Sequence, residues 1–213
     1  MDELDKLKQD WKKNAGNFPK FSEMEIYAML HKKSSSIVKW ILIISILEFL
    51  FWLSLSFLMK DSPSTKQIES FGVDYITIPM SVIGYGIIIY FFCHFYINYR
   101  KITTTDNVKT LMDSIIKTRK TVSQYIIANI IFIIISCIVL FTVFFQKDPK
   151  LTSAIHTHEA NGNAMAFYLI YIILAIVFIA IFILIIWLFY KLIYGLLLKR
   201  LHRNYEELKK IDL

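Results

Sequence analysis

A chain of 213 residues that is 56% hydrophobic, with a mean hydropathy of +0.51, is too apolar for an ordinary water-soluble domain. Its net charge of +7, from 24 Lys and Arg against 17 Asp and Glu, sits in clusters that flank apolar runs. No basic groove with interleaved aromatics is present, so the charge points to a lipid bilayer and away from nucleic acid.

The chain opens with "MDELDKLKQDWKK", where Leu4, Leu7 and Trp11 fall at i, i+3 and i+7 and draw one narrow apolar stripe along a helix. After a break at "NAGNFPKF", Ser22 followed by Glu25 fits a capping box, and Ile26, Met29 and Leu30 form a second stripe. Residues 1–36 therefore read as an amphipathic segment in water. Leu4, Leu7, Trp11 and Ile26 are its candidate contacts to a protein partner.

Four runs follow, roughly residues 37–59, 71–99, 122–145 and 165–198. Each reaches the ~20 residues needed to cross a hydrocarbon core. In lipid every backbone N–H and C=O must be paired within its own segment, so runs this long and apolar predict helices. The expected fold is all-α, a four-transmembrane-helix bundle (37–198) with short amphipathic cytoplasmic helices. One of these is expected over 105–120, capped by Thr105 or Asp106, and another over 199–213.

Lys and Arg set the orientation. Seven lie in residues 1–36, six in 100–121 and six in 191–213, against Lys60 with Lys66 and Lys147 with Lys150 in the other two connections. Both termini are expected in the cytoplasm of a bacterium, with the spans in its inner membrane. The first apolar run begins after 36 residues and is too long for a cleaved signal peptide. Cys93 and Cys137 both fall inside spans, where they read as small packing residues.

The connection 146–163 holds His156, His158 and Glu159. On an extended segment alternate histidines point the same way and could share a metal, but in a loop flanked by Asn and Gly they read as solvated. His94 lies near the inner end of the second span, and His31 and His202 lie outside the spans, which leaves a haem without a second axial ligand. No nucleotide loop, nucleophile elbow or zinc-protease motif occurs. No cofactor, metal or enzymatic activity is expected.

Glu48 stands at the midpoint of the first span, where an ionised side chain costs several kcal/mol. Ser45, Trp52 and Ser56 share its helical face, so the stripe is expected to point into the bundle. Depth alone nominates Tyr85 in the second span and Asn129 in the third as partners for the carboxyl. Residues 172–186 of the fourth span carry no polar side chain, so that helix is expected to face lipid or another copy of the protein.

The stretches "ELDKLKQDWKK" and "EIYAMLHKKSSSIVKWILIISILEF" resemble the start of a family of small four-span proteins from Bacteroidetes and related bacteria. Members are often labelled carotene monooxygenases, and some are encoded beside alternative sigma factors. The resemblance implies a membrane-held cytosolic segment that binds a regulator such as a sigma factor. It carries over no catalytic residue. Carotenoid-cleaving oxygenases hold iron with four histidines, whereas the five here are spread over both sides of the expected membrane.

Overall fold

The computed structural model describes residues 8, 22–105 and 107–210. They form six helices: α1 (Glu23–Met59), α2 (Pro63–Ser70), α3 (Asp74–Thr103), α4 (Val108–Lys147), α5 (Pro149–Ala160) and α6 (Ala164–Lys209). α1, α3, α4 and α6 are each long and apolar enough to cross a membrane. They run alternately up and down and pack in chain order, with α6 returning against α1 to close a ring. One end of the ring carries the turn between α3 and α4 together with Lys209, and is called the basic end here. The opposite end, carrying α2 and α5, is the loop end.

The helices run on beyond the apolar stretches. "HKKSSS" continues α1 without a break, because serine tolerates helical geometry and neither Gly nor Pro intervenes. Residues 108–120 and 199–209 are likewise continuous with α4 and α6, so the amphipathic segments expected there are rigid extensions of the spans. α1 begins with the expected capping box: the Glu25 N–H donates to Ser22 Oγ (3.3 Å), while the Ser22 N–H donates to the Glu25 carboxylate (2.8 Å). Ahead of the apolar run, Glu25 has its pKa lowered, chiefly by that N–H and next by the Ser22 hydroxyl. α4 starts one or two residues later than expected. Asn107, and not Thr105 or Asp106, is the N-cap, its Oδ1 accepting from the Lys109 N–H at 2.9 Å in an Asx-type turn.

The connection 146–163 is mostly helix. Asp148 caps α5 by accepting from the N–H groups of Lys150 (2.8 Å) and Leu151 (3.3 Å), and Pro149 occupies the first turn. Gln67 of α2 donates to the other Asp148 oxygen at 2.9 Å and ties the two loop-end helices together. On a helix, residues two apart point to different sides. His156 accordingly meets Glu159 at 3.4 Å, while His158 stacks on Phe167 at 4.9 Å.

Packing is concentrated at the basic end. Leu30, Ile102, Leu111, Ile115, Leu201 and Leu208 are buried there beyond the apolar runs, Leu30 at 4% exposure and the others at 0%. Ile26 packs against this core. Polar groups join the helices across it: Asn204 donates to Ser34 Oγ (3.1 Å), both residues being fully buried, and Tyr27 donates to the Thr105 carbonyl (3.2 Å). His31 Nε2 lies 2.7 Å from the Ile102 carbonyl at the end of α3. At the loop end, by contrast, α6 from Ile172 to Phe189 is mostly exposed, as expected for a lipid-facing surface.

Candidate functional site: the Glu48 and tyrosine cluster

The inward face of α1 is set by Ser45, 2% exposed, whose hydroxyl donates to the Leu42 carbonyl at 2.8 Å. Glu48, one turn on, is half-buried and reaches across to α6. Tyr190 donates to one carboxylate oxygen at 2.5 Å, and Tyr194 donates to the other at 3.3 Å. The two tyrosines are four residues apart and so lie on one face of α6.

A third tyrosine, Tyr125 of α4, completes the cluster. Its ring sits edge-on to Tyr190 (6.1 Å) and Tyr194 (6.0 Å), and the last two are 5.9 Å apart. Phe91 and Phe95 of α3 close around Tyr125 at 5.3 and 5.5 Å. Its fully buried hydroxyl is turned to the Glu48 carboxylate without completing a hydrogen bond to it. Chemically, then, one acid is held by two phenolic donors, with a third phenol beside it. The donors can stabilise a charged carboxylate, and rotation of the hydroxyls can accommodate a protonated one.

The partners nominated by depth are not the ones found. Asn129 is buried on α4, but its amide donates to the Tyr125 carbonyl at 2.9 Å, a bond within its own helix. Tyr85 meets Phe49 edge-on at 6.1 Å. Tyr85 thus lies at the expected depth but meets the neighbouring residue of α1, and what depth missed is the register of α6. Midpoints align helices only when they end at similar depths, and here they do not. From Glu48 to the end of α1 at Met59 is about 16 Å at 1.5 Å per residue, whereas from Tyr190 to Ala164 is about 39 Å. α1 therefore stops roughly 20 Å short of α6 at the loop end. The signal in the sequence was the Tyr190–Tyr194 pair, two hydroxyls one helical turn apart on the basic-end side of the apolar stretch of α6.

Past Glu48 the stripe turns outward. Trp52 is half-buried and Ser56 is exposed, lining a cleft with Phe57, Met59, Lys60 and Thr65 where α1 gives way to α2. Among the described residues His94 bonds only within its own helix, Nδ1 lying 3.0 Å from the Tyr90 carbonyl. Among the described residues no group of three or more His, Cys, Asp or Glu side chains is placed to hold a metal. Leu4, Leu7 and Trp11 lie outside the described residues.

Four long apolar helices in a ring, with one acid clasped by tyrosines at their packed face, define the class: a four-span helical membrane protein. The chain belongs to the DUF8845 family, a domain of unknown function, whose model matches residues 24–213. No curated protein and no solved structure matches the chain.

Proposed function

We propose that the protein is a non-enzymatic regulatory or scaffold module of the bacterial inner membrane, with both termini cytoplasmic, that holds its N-terminal segment toward a cytosolic protein partner. The single observation carrying this reading is the packed basic end, where helix extensions beyond the apolar runs make a rigid mount and the capping box fixes where residues 1–21 leave α1. Because Ile26 is committed to that mount, Leu4, Leu7 and Trp11 are the contacts that remain for a partner, a sigma factor or another regulator. A second copy of the protein would sit against the exposed stretch of α6.

The test is affinity capture of the full-length protein from solubilised membranes of its host. Changing Leu7 and Trp11 to Glu should remove the partner while leaving the protein's thermal unfolding unchanged. An identical set of captured proteins from wild type and variant would end the proposal.

The Glu48 cluster favours a second reading, a small proton-linked transporter or channel using Glu48, since an acid inside a membrane is a proton site by default. In liposomes containing a pH-sensitive dye, wild type should move protons and Glu48→Gln should not. Traces equal to those of empty vesicles for both proteins would remove this reading.

A further inference from the structure

We infer that Glu48 exchanges its proton with the compartment at the loop end and is sealed from the basic end. This rests on reading Glu48 as a proton-binding group. It deepens that reading by giving the site one side of access.

Toward the basic end the ring is filled. Val38 and Ile41 of α1, Ile102 of α3, Val122 of α4 and Leu201 of α6 are all at 0% exposure, stacked between the carboxylate and the α3–α4 turn. A hydrated path through these side chains would have to displace close-packed apolar groups. Toward the loop end the opposite holds. Glu48, Trp52, Ser56 and Lys60 follow one ridge of α1 at intervals of four residues, and exposure rises from half-buried Glu48 and Trp52 to exposed Ser56 and Lys60. Because α1 ends early, the foot of this ridge opens into the cleft of Ser56, Lys60 and Thr65. From Ser56 to Glu48 is about 12 Å along the helix, spanned by the Trp52 indole.

The groups facing the carboxylate are consistent with a proton as the ligand. α6 presents Tyr190 and Tyr194, α4 presents Tyr125, and α3 contributes Tyr85 only through its contact with Phe49. Lys191 is turned away over the Trp187 ring at 4.6 Å, and Glu48 makes no ion pair among the described residues. Two of the three hydroxyls already donate to the carboxylate, and among the described residues no group of three or more His, Cys, Asp or Glu side chains is placed to complete the shell of a metal cation. The third hydroxyl, on Tyr125, is a buried donor that a water beside the carboxylate would satisfy. One-sided access makes the site a loading or sensing step. It is not an open channel.

The experiment uses the full-length protein in vesicles of fixed orientation, with the pH set independently on each side. A protonated carboxyl in apolar surroundings adds its oxygen to the central carbon of dicyclohexylcarbodiimide while its proton passes to a carbodiimide nitrogen, and the resulting Glu48 N-acylurea is read by mass spectrometry, with Glu48→Gln as the blank. The adduct should form faster as pH falls at the loop end and be indifferent to pH at the basic end. A rate that follows the basic end, or both ends equally, overturns the inference while leaving the proton-binding reading standing. Absence of an adduct at every pH removes both. In a Cys93→Ser, Cys137→Ser background, Ser56→Cys should react with a membrane-impermeant thiosulfonate added at the loop end, and Ser45→Cys should not. If Ser56→Cys reacts only with a lipid-soluble maleimide, lipid and not water covers the ridge, and the inference fails.

Discussion

The two ends of this molecule are built from the same four helices and packed in different ways. At the basic end Leu111, Ile115, Leu201 and Leu208 are wholly buried, whereas on α6 at the loop end Leu169, Ile173, Leu174 and Ile181 are all more than half exposed. The residue types hardly differ, so the difference lies in the solvent. Where helices extend into water, apolar side chains gain by leaving it and pull the helices together. In lipid that drive vanishes, since acyl chains are as apolar as leucine, and only fit and hydrogen bonds hold helices side by side. Glu48 and its tyrosines stand where one regime passes into the other.

This comparison is most easily broken by truncating one side chain at each end. Leu111→Ala at the basic end, at 0% exposure, should lower stability by about 2–5 kcal/mol, while Leu174→Ala on exposed α6 should change it by no more than about 0.5 kcal/mol. Thermal unfolding in nanodiscs reads both, and equal losses would show the loop end to be packed by something outside this chain.

A buried polar link at the basic end comes next in size. Ser34→Ala leaves the Asn204 amide without its partner in a fully buried layer, at an expected cost of about 1–3 kcal/mol. The double variant Ser34→Ala with Asn204→Leu should recover part of that loss, which a double-mutant cycle would measure.

At the boundary the effect should be smaller still. Tyr190→Phe removes the shorter bond to Glu48, and interhelical hydrogen bonds in membranes average about 0.6 kcal/mol. A loss several times larger would mean that Glu48 is charged and dry. The smallest change belongs to the start of α1. Glu25 has its pKa lowered in the folded chain, so its contribution is present above the unfolded pKa and is lost as pH falls through the folded one. Hydrogen-exchange protection at residues 23–26, taken against the intrinsic rate at each pH, should fall across that acidic window in wild type. Glu25→Gln should flatten the response with no change in global unfolding.

Much of the fold was legible because lipid imposes strict conditions on sequence. Span number and the exposed face of α6 follow from run length and from the absence of polar side chains, and the Ser22 box from residue spacing alone. The start of α4 was harder to place, because Thr105, Asp106 and Asn107 can all cap and only three-dimensional geometry selects among them. Helix α5 was missed although Asp148-Pro149 is a helix-start signal, because the polar composition around the histidines read as loop. At the site, the face of α1 followed from periodicity, with Ser45 and Glu48 turned inward. The identity of the partners did not follow, since helix register depends on how far each helix overshoots its neighbours and no single segment carries that information.

Closure of the ring between α1 and α6 has a consequence for how the protein is made. Glu48 is synthesised early, yet the tyrosines that hold it are 142 and 146 residues further along the chain. While ribosomes translate the intervening helices, the nascent acid sits in the translocon or the bilayer without its phenols. A polypeptide cut off before Tyr190 would keep that orphan carboxyl and the unpaired Ser34, a lasting mark by which a membrane protease could tell an unfinished chain from a finished one.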